Sequence, residues 1–221
     1  AGNAVGTGIV VDFAKHLNRV HEVDVERRVA RVDPGVVHAA LQKVAAPQGL
    51  RFGPDPSTHT RCTIGGMIGN NACGSRALGY GRTVDTVRSL TAVLGTGEVV
   101  TASAGTPSTG AAATALAGLV DGELEHVRTH FGRFTRQVSG YSLEHLLPEN
   151  GRRLDRFLVG SEGTLGLVSQ AEVALVRDPP VRTLVVLGYP SMAEAADAVP
   201  ALLAHPLVAC EGLDARIVDC V

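Results

Sequence analysis

The chain has 221 residues, with 20 Lys and Arg against 22 Asp and Glu and a formal net charge of −2. So even a balance gives no electrostatic footprint for nucleic acid, and no apolar run reaches the ~18 residues that a spanning helix needs. Four cysteines, Cys62, Cys73, Cys210 and Cys220, include no C-x-x-C pair, which argues against zinc and iron–sulfur sites.

The length suits one large or two small domains. No signal peptide opens the chain, so reduced thiols and a cytoplasmic location, or a peripheral one at the inner membrane, are expected. The start, Ala1-Gly2-Asn3, lacks Met and reads as a fragment. Gly8-Ile9-Val10-Val11-Asp12-Phe13 reads as a buried strand. Gly6-Thr7-Gly8 before it lacks the third glycine and the helix of a dinucleotide fingerprint. Residues 21–26 and 28–33 alternate apolar and polar side chains and predict two strands. Pro34-Gly35-Val36 ends the second. Residues 37–46 carry Val37, Leu41 and Val44 at helical spacing, with Gly49 as C-cap.

Residues 54–82 are dense in glycine and small polar side chains. Glycine lets backbone approach a ligand closely; Thr63, Asn70 and Asn71 can cap a helix or bond a ligand. A turn of small residues opening a short helix is expected to aim free N–H groups at one place, an anion site suited to a pyrophosphate. Arg61, Arg76 or Arg82 would assist, because the stretch has no Lys. By pattern alone it reads equally as a tight turn.

Residues 87–94 predict a strand, Gly95-Thr96-Gly97-Glu98 a hairpin turn and residues 99–102 the return. Residues 111–127 are helical in period. His126 and His130 lie four apart, but no Glu follows the first His as a zinc-protease motif requires; a surface pair is expected and no metal. Residues from Tyr141 predict a helical segment with Leu143, Leu146 and Leu147 inward, and residues 164–176 a long strand. Glu162 stands alone among small and apolar residues, so burial with hydrogen-bond partners is expected. Pro179-Pro180 mark a domain edge. Strand 182–189, a helix capped by Ser191 with Glu194 and running to about residue 205, and a strand over 207–221, followed by the start of a helix, complete the reading.

Two stretches carry a resemblance. Thr63-Ile64-Gly65-Gly66 with Asn70-Asn71-Ala72-Cys73-Gly74, and Phe157-Leu158-Val159-Gly160-Ser161-Glu162-Gly163-Thr164-Leu165-Gly166-Leu167-Val168, resemble, in that order, two motifs of the FAD-binding domain of the vanillyl-alcohol oxidase, or FAD-linked oxidase, family. The likeness is to its bacterial 2-hydroxy-acid dehydrogenases: D-lactate dehydrogenase, glycolate oxidase and D-2-hydroxyglutarate dehydrogenase. The resemblance implies an α+β fold in two lobes, residues 1–56 and 57–177, followed at 178–221 by the start of a ferredoxin-like substrate cap. It is not a doubly wound sheet, since regular βαβ alternation is missing.

The resemblance implies FAD between the lobes, its pyrophosphate against residues 63–71 and its isoalloxazine near Pro54, Asp55, Tyr80 and Glu162. The cofactor-binding set is Pro34, Gly35, Val36, Pro54, Asp55, Ser57, Thr63, Ile64, Gly65, Gly66, Gly69, Asn70, Asn71, Gly74, Tyr80, Gly81, Glu162, Gly163 and Val168. Pro34-Gly35-Val36 reads equally as a helix-entry turn. An Arg-Gly-Gly-Gly-Thr-type loop precedes residue 8 in the family, and residues 1–5 correspond to its tail. Some relatives attach flavin covalently; neither Cys62 nor Cys73 clearly matches such a pattern. The implied activity is oxidation of a D-2-hydroxy acid by hydride transfer to FAD, with a quinone, cytochrome or flavoprotein as electron acceptor and a homo-oligomer compatible. The family's substrate-gripping residues lie mainly in the cap and beyond, so no catalytic residue is named; His59 is read as a surface residue. Two other readings stay open: a non-catalytic flavin- or nucleotide-binding module, and a cell-wall precursor reductase of the same fold.

Overall fold

The computed structural model describes residues 7–134, 139–218 and 220. In chain order it contains β1 (Val20–Asp24), β2 (Val29–Val32), α1 (His38–Ala45), β3 (Leu50–Phe52), α2 (Ile64–Gly69), α3 (Ala77–Tyr80), α4 (Thr83–Thr86), β4 (Val87–Leu94) and β5 (Val99–Ser103). Then follow α5 (Ala111–Gly122), α6 (Leu124–His130), α7 (Leu154–Leu158), β6 (Gly166–Arg177), α8 (Met192–Leu202) and α9 (Ala215–Val218). Short 3-10 turns lie at Ala46–Gln48, Leu143–Leu146 and Pro148–Asn150.

β6 is the strand the others assemble on. Its alternation puts Ala171, Val173 and Leu175 into the core, as a strand with one well-covered face requires. β2, β3 and β4 all pair with it, β1 adds to β2 and β5 to β4, giving the order β1-β2-β6-β4-β5 with β3 also on β6. Every pairing between these strands is antiparallel. The α+β class therefore holds and a doubly wound sheet is excluded. The sheet is continuous across residue 56, because β2 and β3 from the first segment join β6 from the second. Leu41, Phe52, Ile64, Met67, Leu90, Val120, Val127 and Val173 are buried in one core cluster.

Several expected elements differ. Residues 8–13 form no strand and Ile9 is 95% exposed; an apolar run becomes a strand only where a neighbour takes its hydrogen bonds. The same reason applies to residues 182–189, where Leu184 is 88% exposed, and to residues 207–214. The single helix expected over 111–127 is two, broken at Glu123, whose φ of −126° and ψ of 26° leave the helical region. The segment after Tyr141 is a 3-10 turn that still buries Leu146 and Leu147. Ser191 caps α8 as expected, its Oγ accepting from Glu194 N–H at 3.2 Å. Residues 1–5, 219 and 221 lie outside the described residues.

Candidate functional site

α2 begins at Thr63, whose extended backbone and side chain form an N-cap: Oγ1 accepts from Gly66 N–H at 3.1 Å. The next N–H groups are also engaged. Ile64 donates to Val36 O at 2.8 Å and Gly65 to Pro34 O at 2.7 Å. The free donors expected here for a pyrophosphate are thus used to dock α2 on the Pro34-Gly35-Val36 turn. Gly65 serves that docking, since a Cβ on it would lie 2.6 Å from Pro34 Cβ. On the other side, a Cβ on Gly35 would lie 2.4 Å from the carbonyls of Phe13 and Leu17. Pro34, Gly35 and Val36 are consequently buried by protein, as a helix-entry turn is.

The far end of α2 is where the two sequence motifs meet. Gly160 N–H donates to Ile68 O at 2.9 Å, and Glu162 N–H to Gly69 O at 3.0 Å. Asn71 and Glu162 both hold left-handed backbone, with φ of 46° and 54°, a conformation that costs a non-glycine residue on the order of 1–3 kcal/mol. Asn71 uses its side chain, Oδ1 accepting from Val84 N–H at 3.0 Å at the start of α4. Glu162 and Gly163 (φ 77°) form the tip of a tight turn closed by Thr164 N–H to Ser161 O at 2.9 Å. Tyr141 Oη lies 2.9 Å from Thr164 Oγ1 and braces that turn. Contrary to the sequence expectation, Glu162 is exposed.

A second neighbourhood gathers Pro54, Asp55, Gly74, Tyr80 and Gly81. The buried His38 donates from Nε2 to Pro54 O at 2.8 Å. Burial holds its pKa below the ordinary histidine value, and its buried Nδ1 has no partner. Asp55 pairs with Arg76 Nε at 3.1 Å and, more loosely, with Arg51 at 3.5 Å. Arg51 lies under the Tyr80 ring, 5.7 Å from its centroid, and also reaches Asp178 at 3.4 Å. Gly74 must be small, because a Cβ would sit 2.0 Å from Asp55 O. Ser57 is exposed and Val168 lies half-buried on β6. Arg51 and His38 escaped the sequence reading; no local pattern marks either one. Of the expected auxiliary arginines, Arg76 is engaged by Asp55, Arg82 by Asp85, and Arg61 is exposed.

Residues 1–103 match the family described as FAD binding domain. Residues 1–103 thus carry an FAD-binding domain, similar to that of the FAD-linked oxidases. D-2-hydroxyglutarate dehydrogenase of Pseudomonas putida is 34% identical over 98% of this chain and 23% of its own length. Glycolate oxidase subunit GlcD of Bacillus subtilis is 32% identical, over 91% of this chain and 34% of its own. D-lactate dehydrogenase of Archaeoglobus fulgidus is 32% identical, over 99% and 41%. The chain thus spans from about a quarter to two-fifths of the length of these relatives. Among solved structures, alkyldihydroxyacetonephosphate synthase matches with a TM-score of 0.56 and 20% identity over 87% of this chain and 28% of the other, a likeness of fold.

The junction of Gly69–Asn71 with Glu162–Gly163 ends in an exposed turn. A Cβ on Gly163 would meet nothing within 4 Å, so the turn is open to a ligand's approach. Beside it runs a cleft of about 220 Å³ lined by Asn71, Arg82, Gly132, Phe134, Ser142, Glu144 and His145. Burial first, then the charges of Arg156 and Arg82, lower the His145 pKa to about 4. Burial raises that of Glu144. Among the described residues no His, Cys, Asp and Glu group could hold a metal, and no helix is long and apolar enough to cross a membrane. His126 and His130 stack on each other, 4.2 Å between ring centroids.

Proposed function

We propose that this chain is the FAD-binding part of a flavoprotein dehydrogenase that oxidises a D-2-hydroxy acid such as D-lactate, glycolate or D-2-hydroxyglutarate. The observation that carries the reading is the junction of the two family motifs, Ile68-Gly69 against Gly160 to Glu162. The names of the relatives support the substrate class. Gly69, Asn70, Asn71, Glu162 and Gly163 would hold FAD on one side, and Pro54, Asp55, Gly74, Tyr80 and Gly81 on the other. Bound FAD supplies a hydride acceptor. The chain's own groups orient it: Asp55, fixed by Arg76 and Arg51, presents a held carboxylate, and His38 fixes the Pro54 carbonyl beside it. Electrons would pass to a quinone, cytochrome or flavoprotein, in a cytoplasmic or peripheral protein that is compatible with a homo-oligomer.

Incubating the purified chain with FAD and removing free flavin tests the binding. A yellow protein with quenched flavin fluorescence is expected, and Gly69→Ala, whose Cβ would meet only Glu162 Cα at an ordinary 3.7 Å, should weaken flavin retention while keeping its fold. Colourless protein after saturation with FAD would sink the reading. Turnover is expected of a protein of the relatives' length, whose flavin should bleach anaerobically with a D-2-hydroxy acid. The 221-residue chain alone should retain flavin without bleaching, because hydride transfer needs the substrate carbon held about 3–3.5 Å from its acceptor. Bleaching by the chain alone would place the substrate-holding groups within it.

A further inference from the structure

The segment that follows β6 returns to the FAD-binding domain at α3. Gly79 N–H donates to Val208 O at 3.1 Å as well as to Arg76 O at 3.2 Å. A Cβ on Gly79 would lie 2.8 Å from Val208 Cα and 3.3 Å from the carbonyl oxygens of Leu207 and Val208. These are backbone atoms, so no side-chain rotation relieves the clash. Gly79 is not among the residues with positive φ, so its backbone does not require glycine; the missing side chain serves the contact. Leu207 and Val208 are half-buried, while His205, Pro206, Ala209 and Cys210 around them are exposed. The start of the same segment is tied down separately: Asp178 N–H donates to Gly49 O at 2.9 Å, and its carboxylate reaches Arg51.

We propose that Gly79 is a docking position that seats residues 207–208 on α3 and makes this segment a wall of the flavin site beside Tyr80. The seating stands on the geometry alone. The wall rests on the flavin reading given above, because Tyr80 belongs to the neighbourhood assigned to FAD. Gly79 is thus a positioning residue: it touches neither cofactor nor substrate, and acts by where it lets the later segment lie.

Limited proteolysis of the 221-residue chain tests both parts, because residues 207–208 enter the contact through carbonyl oxygens and not through their own N–H groups. Gly79→Ala and Gly79→Val should speed chymotryptic cleavage within residues 203–210 by about tenfold or more, with β4 and β6 still protected, as a local opening does. Gly118→Ala, where a Cβ meets nothing within 4 Å, is the control and should leave that cleavage alone. Added FAD should slow cleavage within residues 203–210 in the wild type and not in Gly79→Val. Should Gly79→Val fail to fold, Gly79→Ala decides. Unchanged cleavage within residues 203–210 in the Gly79 variants overturns the seating. Loss of seating in the variants, with wild-type cleavage there indifferent to bound FAD, overturns the wall. Failure of the wild type to retain FAD overturns the flavin reading and the wall with it, and leaves the seating to the Gly79 comparison.

Discussion

At the start of α2, Thr63 closes the helix and Gly65 lets it sit against Pro34. Thr63→Ala should cost about 1 kcal/mol, the usual worth of an N-cap, and Thr63→Ser should keep most of it. Gly65→Val drives a side chain into the Pro34 ring and should cost roughly 1–3 kcal/mol, as overpacking does. Urea denaturation reads both. Two histidines set a different dependence. His38 and His145 have folded-state pKa values below the ordinary 6.5. On acidification the unfolded chain therefore takes up protons first. The stability their neutral forms contribute is complete at neutral pH, begins to fall near pH 6.5, and for His145 is lost by about pH 4. The groups acting on His145 are Arg156, Arg82, Arg153 and Asp155, with Glu144 at 3.8 Å; those acting on His38 are the Pro54 carbonyl, Asp55, His59 and Arg51. Glu144 works oppositely, since its raised pKa penalises the folded state above pH 4.5 and the penalty eases as pH falls. Urea midpoints measured from pH 7.5 down to 4.5 should drop more steeply for the wild type than for His145→Gln; parallel curves would refute the assignment.

The β4–β5 hairpin and α5 are joined by one side chain. Glu98 Oε2 accepts from Ala112 N–H at 3.2 Å in the first turn of α5. That carboxylate satisfies a helix donor and complements the dipole. Glu98→Ala should cost about 1 kcal/mol and raise hydrogen exchange at α5 above that of β4; equal exchange would show that the helix holds without it. Elements with local signals were legible in the sequence. β4, β5 and α1 follow alternation or helical spacing, and α8 follows its Ser191 cap. What failed needed distant information. Residues 8–13 and 182–189 look like strands by composition, but lack a strand neighbour among the described residues. The N–H groups of α2 looked available until the Pro34 turn, some thirty positions earlier in the chain, took them. The two motifs were legible as a resemblance, in their order along the chain. Their contact at Gly69 and Glu162 joins a helix end to a distant turn, and the Arg51–Asp178 pair follows from the pairing of β3 with β6; neither could be read from spacing. Glu162 was expected inside because its neighbours are small and apolar; the tight turn carries it outward instead.

On the scale of the molecule, the exposed run at residues 181–187 is the main liability. Val181, Leu184, Val185, Val186 and Leu187 are each at least half exposed, within a stretch of strong β propensity that is not paired in a sheet. Such a stretch templates self-association. Light scattering at 37 °C should rise with protein concentration, and Val185→Lys should suppress it with little change in Tm. Scattering unaffected by that charge would place the sticky surface elsewhere. β6 sets a schedule as well as a shape. It receives β2 through pairs such as Val29 with Ala174, and Arg27 meets Glu172 across 145 positions of chain. Nothing local can stand in for that strand. At roughly 5–20 residues per second of synthesis, β1, β2 and β3 must wait on the order of ten seconds for their partner to leave the ribosome. During that interval the apolar faces of Val29, Val32, Leu50 and Phe52 have no sheet to join, so the nascent chain is the form of this protein most in need of a chaperone.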